Sequence, residues 1–150
     1  AYFNIGVIYA KMKRYDDAVY AFKKSLAMDR QNIYTYYNLA NVYEAKGSYR
    51  DALEGYYKVI RRKPRYVPAY YHAGIVLDKL GRREEAIVEF ITCIELDKKY
   101  APAYLALALI YEQMERKKDA AKYYTLYAEQ ESDEGKKAAA VKKAEELGGQ

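Results

Sequence analysis

The side chains that most often perform chemistry in proteins are scarce in this sequence of 150 residues. His72 is the only histidine and Cys93 the only cysteine. A histidine-based metal site and a catalytic triad with a spare histidine are therefore excluded. No glycine-rich phosphate loop is present either. We expect no metal, no cofactor and no catalytic residue, and we interpret the chain as a protein that is not an enzyme.

The charge and hydropathy patterns argue against two classes of partner, nucleic acids and membranes. The net charge is +5 at pH 7, and basic residues gather in the predicted turns and in the segment Arg61–Arg65. Soluble proteins keep charges at such positions, and no aromatic–basic pattern of an RNA-binding module accompanies them. No run of about 18 apolar residues is present. We expect neither a nucleic-acid partner nor a membrane span.

An internal repeat in the sequence predicts the secondary-structure elements of the chain. Three columns recur at an offset of 34 residues: Tyr2, Tyr36, Tyr70 and Tyr104; Ala18, Ala52, Ala86 and Ala120; and Phe22, Tyr56, Phe90 and Tyr124. A fixed period of this length is typical of repeat arrays. In one unit Tyr36, Leu39 and Tyr43 fall on a single helical face, and Gly47 ends that helix as a residue with positive φ would. Each unit therefore predicts two helices.

The segment from Tyr70 through Ala73, Gly74 and Leu77, followed by Ala86 and Phe90, resembles the tetratricopeptide repeat. The resemblance implies an all-α fold, a right-handed α-solenoid of four 34-residue helix-turn-helix repeats plus a C-terminal capping helix. The repeats are predicted at 1–32, 33–66, 67–100 and 101–134, which together cover 1–134, with the capping helix and tail at 135–150. We expect Ser132 or Asp133 to cap this last helix, Ala138, Val141 and Ala144 to form its apolar stripe, and Gly148 and Gly149 to end it.

A second stripe on the first helix of each repeat is offset from the core face. In the family that the sequence resembles, these positions line a concave groove that holds a peptide. The predicted partner-binding residues are Phe3, Asn4, Val7, Tyr34, Tyr37, Asn38, Asn41, Tyr71, His72, Ile75, Leu105 and Leu109. Asn4 and Asn38 are expected to hydrogen-bond the backbone of a ligand. The alternative is that this stripe packs against the neighbouring repeat.

Four single residues carry further expectations. His72 either contacts a ligand or is a partly buried, hydrogen-bonded ring. Cys93 occupies a small-residue crossing and is predicted to be buried and inert. Glu44 and Glu112, which share an acidic column with Asp78, either favour a basic ligand or are solvated helix ends.

The sequence therefore predicts a protein–protein interaction scaffold or adaptor that binds a partner peptide or helix in its concave groove. One alternative is a self-assembling scaffold, a homo-oligomer that stacks through apolar residues Tyr2, Phe3 and Ile5 at its N-terminal end. Another is the targeting arm of a larger enzyme such as a glycosyltransferase, whose asparagine ladder Asn4 and Asn38 resemble. The chain opens at Ala1 inside a predicted helix, so we expect a fragment without its targeting segment. Its compartment stays open, with the cytoplasm favoured by the lone cysteine.

Overall fold

The computed structural model describes residues 1–148, which form nine α-helices and no strand. The helices are α1 (Tyr2–Lys11), α2 (Tyr15–Met28), α3 (Ile33–Ala45), α4 (Tyr49–Arg62), α5 (Val67–Lys79), α6 (Arg83–Leu96), α7 (Ala101–Gln113), α8 (Lys117–Gln130) and α9 (Glu134–Gly148). The all-α prediction is confirmed. Gly149, one of the two glycines predicted to end the last helix, lies outside the described residues. Within residues 1–148 no helix combines the length and the apolar character that crossing a membrane requires.

The turn inside each helical hairpin contains a residue in the left-handed region, again at intervals of 34. Gly47 and Gly81 have φ of +78° and +76°, as the sequence predicts. Lys13 and Glu115 occupy the equivalent positions with φ of +58°. A side chain in this region costs about 1–2 kcal/mol, because its Cβ approaches the carbonyl oxygen that follows. The turn geometry is therefore maintained even where no glycine relieves it.

The first compact unit, Ala1–Gly81, contains α1 to α5. α1 packs on α2 and α3 on α4, while α2 contacts α3 and α4 contacts α5. Phe22 and Tyr56, from the aromatic column, are fully buried. Small residues let the backbones approach, since a Cβ added to Gly6 would lie 2.6 Å from the Phe22 ring. The alanine and aromatic columns are thus buried here, whereas Tyr2 of the tyrosine column is 40% exposed.

The second compact unit, Arg82–Gln150, contains α6 to α9. α6 packs on α7, α7 on α8 and α8 on α9. Phe90 and Tyr124 occupy the aromatic column and are buried at 1% and 5% exposure. Cys93 is fully buried, and burial raises the pKa of its thiol to about 12. The prediction of a buried cysteine is confirmed, and a neutral thiol is a poor nucleophile.

The last helix begins as predicted but turns a different face inward. The backbone N–H of Lys136 donates to Asp133 Oδ1 at 2.9 Å, so Asp133 rather than Ser132 caps α9. The predicted stripe is wrong in two of its three members, because Ala138 is exposed and Val141 is 41% exposed. Ala140 and Ala144 are buried instead. These two alanines lie four residues apart and let α9 approach α8 closely.

Candidate partner-binding site

The structure places ten of the twelve predicted partner-binding residues on α1, α3 and α5 of the first unit. The other two, Leu105 and Leu109, lie on α7 of the second unit. Asn4, Tyr34 and Leu109 are exposed, and the other nine are half-buried. The stripe therefore contains some side chains that are accessible to a partner and others that are partly covered by the protein itself.

Two members of the stripe on α1 support the core. Phe3 and Val7 pack against the buried cluster around Ala18 and Phe22, and the Phe3 and Phe22 ring centroids are 6.0 Å apart. These two residues therefore agree in part with the alternative prediction, in which the stripe packs inside the protein against the neighbouring repeat.

Two asparagines of the stripe are also engaged. The amide nitrogen of Asn38 donates to the Tyr34 carbonyl oxygen of its own helix at 2.8 Å. Asn41 accepts from the Tyr56 hydroxyl at 2.7 Å. Asn4 is the exposed one of the three.

Six rings from α3, α4, α5 and the loop before α5 form a contiguous group, here called the ring cluster. Its members are Tyr34, Tyr37, Tyr56, Tyr66, Tyr71 and His72. Tyr37 lies at its centre, 5.3 Å from Tyr66 and 5.9 Å from His72 in edge-on contacts. Burial, helped by the nearby Tyr66 phenol, raises the pKa of Tyr37 to about 12. These contacts limit the conformations open to each ring.

A carboxylate anchors the polar side of the ring cluster. The Tyr56 hydroxyl lies 2.5 Å from Glu44 Oε2 and shares its hydrogen between this oxygen and Asn41. His72 Nδ1 lies 3.0 Å from the same Glu44 oxygen. Burial opposes ionisation of Glu44, but the hydrogen bonds from His72 and Tyr56 outweigh it, and the pKa of Glu44 is lowered. The interpretation of Glu44 as a solvated helix end is wrong, because its side chain is only 23% exposed.

A cavity of about 310 Å³ opens beside this carboxylate. It is lined by Asn41, Glu44, Ala45, Tyr49, His72, Ile75 and Lys79. The lining combines an amide, a carboxylate, an imidazole and an ammonium group around the apolar side chain of Ile75. Such a mixture suits the polar backbone and side chains of a peptide. Among the described residues, no cluster of three histidine, cysteine or carboxylate side chains could hold a metal ion.

Sequence reasoning missed Tyr66 as part of this site, and it considered Glu44 only as a member of an acidic row and not as a partner of Tyr56 and His72. A signal for Glu44 does exist, since Tyr56 and Tyr124 both follow a glutamate by twelve residues. The repeats with Phe22 and Phe90 in that column have Ala10 and Asp78 in place of the glutamate. A hydroxyl therefore appears where a glutamate can accept its hydrogen. Tyr66 precedes its helix, so no helical-face pattern includes it.

The second unit contains a related arrangement. The Tyr124 hydroxyl donates to Glu112 Oε2 at 2.6 Å, and Lys143 Nζ of α9 lies 2.7 Å from Glu112 Oε1. The hydrogen bonds from Lys143 and Tyr124 lower the pKa of Glu112. For Glu112, too, the interpretation as a solvated helix end is wrong.

Three arginines of the turns are paired with acids within their own hairpins. Arg14 lies 2.8 Å from Asp17, Arg82 lies 2.6 Å from Glu85, and Arg116 lies 2.8 Å from Asp119. These arginines stand at the 34-residue period, each three residues before its partner acid. The positive charge predicted along the turns is therefore partly neutralised.

Sequence models described as Tetratricopeptide repeat match residues 1–32, 21–54, 67–100 and 101–134. Among solved structures, "Crystal structure of MamA protein" is 27% identical with a TM-score of 0.85, covering 99% of this chain and 81% of that one. "Crystal structure of MamA" is 26% identical with a TM-score of 0.83, covering 92% and 79%. YrrB, titled "a TPR protein with an unusual peptide-binding site", is 20% identical with a TM-score of 0.75, covering 97% and 84%. The search of curated proteins gives no match.

Proposed function

Because the chain belongs to the tetratricopeptide repeat family, we propose that it is an interaction scaffold that binds a partner peptide or helix. The binding surface is formed by the ring cluster and the cavity beside Glu44. YrrB, which shares this fold, is described as having an unusual peptide-binding site, so the fold can carry such a surface. The proposed work is binding and positioning, not catalysis.

The observation that best supports this proposal is that the exposed ring of Tyr34 contacts its neighbours. Tyr34 is 51% exposed, yet its ring contacts Tyr66 edge-on at 6.4 Å and lies 6.0 Å from the Lys63 ammonium. Rigid aromatic side chains give large contact area at a low cost in conformational entropy, and they dominate many protein interfaces. The core does not need this ring, so its order favours contact with a partner.

The structure also determines which variant tests the proposal. Tyr37 contacts three other rings of the cluster, those of Tyr56, Tyr66 and His72, so its truncation would disturb the fold as well as the surface. Tyr34→Ala removes an exposed ring and leaves that centre intact. Tyr20→Ala is the matched control, because Tyr20 is a 63% exposed tyrosine on α2.

The experiment is capture of partners from a lysate, followed by titration of the captured protein against each variant. We expect Tyr34→Ala to weaken binding by about 1–3 kcal/mol, as truncation of an interface anchor does. Tyr20→Ala should bind like the wild type. Equal binding by all three proteins would move the interaction away from the ring cluster.

A second candidate function is self-association through α1. Three apolar side chains lie exposed on this helix, with exposures of 40% for Tyr2, 39% for Ile5 and 57% for Ile8, and Met12 directly after it is 59% exposed. Leu39 and Val42, 34 residues after Ile5 and Ile8, are buried at 8% and 3%. If a second copy covers α1, light scattering will show a mass that rises with concentration, and Ile8→Lys will abolish the rise. A constant monomer mass would exclude this function.

A further inference from the structure

The second unit contains another cavity, of about 460 Å³, between α7, α8 and α9. It is lined by Leu105, Tyr124, Tyr127, Lys136, Ala139, Ala140 and Lys143. Its volume falls within the range of about 300–1,000 Å³ that is common for ligand-binding pockets. Only Leu105 among these residues belongs to the predicted partner-binding set.

The walls of this cavity are apolar because the tyrosine hydroxyls are engaged elsewhere. Tyr124 donates to Glu112 at 2.6 Å, and Tyr127 donates to Glu131 at 2.5 Å. The two rings therefore line the space beside Leu105 and two alanines with their carbon surfaces. A bulky apolar side chain fills such a space best, since the engaged hydroxyls offer no further donor to a polar one.

The charged side chains that line the cavity are both lysines, Lys136 and Lys143, and the two glutamates beside it already accept hydrogen bonds. Glu112 already accepts from Tyr124 and Lys143. Glu131 accepts from the Tyr127 hydroxyl and from the backbone N–H groups of Ser132 and Asp133, at 2.9 Å each. An ammonium group has three N–H donors, so Lys143 keeps donors beyond its bond to Glu112. Together with Lys136 it favours an anionic group next to the apolar one.

We propose that this cavity binds a segment of a protein partner that inserts a leucine, methionine or phenylalanine side chain and places an adjacent aspartate or glutamate on Lys136 and Lys143. This inference rests on the proposed interaction function and adds the chemistry of the partner at a particular site. The cavity of the first unit differs, because its lining includes the carboxylate of Glu44 and the imidazole of His72.

The test uses short random peptides displayed in a library and selected on the intact 150-residue chain. Ala139→Trp fills the cavity from its α9 wall, whereas Ala138→Trp places the same ring beside it. Both alanines are exposed, so both variants should fold, which thermal melting by circular dichroism verifies. We expect selected peptides to pair a bulky apolar residue with an acid, and to bind Ala139→Trp at least about tenfold more weakly than Ala138→Trp. Lys136→Gln should weaken them by about threefold.

The outcomes separate this inference from the proposed function. Peptides that bind Ala139→Trp as tightly as the wild type would overturn the cavity assignment and leave the interaction function standing. Peptides that need the cavity but carry lysine or arginine instead of an acid would overturn the charge assignment. Failure to select any peptide would overturn both.

Discussion

The two units use one hydrogen bond in two different settings. In the first, Tyr56 donates to Glu44, and the imidazole of His72 contacts the same carboxylate while stacking on the Tyr56 ring at 5.5 Å. In the second, Tyr124 donates to Glu112, and the flexible ammonium group of Lys143 takes the place of the imidazole.

The difference lies in what surrounds the shared bond. The Glu44 carboxylate lies beside the Tyr56 and His72 rings and adds a charged group to the lining of the first cavity. The Glu112 carboxylate lies 2.7 Å from the partly exposed ammonium group of Lys143 on α9, and the nearby cavity is apolar. The same tyrosine–glutamate hydrogen bond, completed by an imidazole in one unit and by an ammonium group in the other, therefore lies beside two cavities with different linings. Four experiments test this difference between the two units, and they follow in order of decreasing expected effect.

Removal of the shared hydroxyl should cost most in the first unit. Tyr56→Phe leaves Glu44 and Asn41 short of a donor in a half-buried setting, and we expect a loss of about 2 kcal/mol in the free energy of unfolding. Tyr124→Phe should cost about 1 kcal/mol, because Lys143 still satisfies Glu112. Urea unfolding measures both, with the exposed Tyr20→Phe as the control. Equal losses at the two sites would break the comparison.

The left-handed turn residues give a stabilising change in each unit. Lys13→Gly and Glu115→Gly remove the strain of a side chain at φ +58°. Because glycine also gains conformational freedom in the unfolded chain, we expect the free energy of unfolding to rise by only about 0.5–1 kcal/mol. Gly47→Ala, at φ +78°, should lower the free energy of unfolding by about 1 kcal/mol. Thermal melting compares the three variants, and a loss at Lys13→Gly would contradict the assigned strain.

Acid should weaken both units through their glutamates. The pKa values of Glu44 and Glu112 are lowered in the folded chain, so the unfolded state binds protons at higher pH. Their stabilisation is present above the ordinary carboxyl pKa of 4.5 and is lost as the pH falls through the folded values. Glu44→Gln and Glu112→Gln should each flatten this acid limb in urea unfolding at a series of pH values. An unchanged slope in either variant would show that its carboxylate is not held in the charged form.

The smallest effect is expected from the cation of the second unit. Lys143→Gln removes an ion pair whose lysine side chain is 40% exposed, and solvent screens such pairs strongly. We expect a shift of the melting temperature of no more than about 1 °C. His72→Gln should shift it more, because the ring also stacks on Tyr56. A larger shift for Lys143→Gln would mean that this lysine fixes α9 to the second unit.

Much of the fold is predictable because its columns are periodic. Phe22, Tyr56, Phe90 and Tyr124 are buried where the 34-residue offset places them. The phase of α9 was not predictable, because alanine and lysine recur on several of its faces and only packing on α8 selects Ala140. The engagement of Asn41 and Tyr37 was also hidden. A period shows which way a side chain faces, but not which neighbour takes its hydrogen bonds.

The most direct measurement is hydrogen–deuterium exchange with and without a partner captured by the wild type. The proposed function predicts slower amide exchange, on binding, in Ile33–Ala45 and Val67–Lys79, which carry most of the ring cluster. Exchange in Tyr15–Met28 and Tyr49–Arg62, the helices packed behind them, should change little. Protection confined to those two helices, with α3 and α5 unaffected, would contradict the assignment of the partner-binding surface.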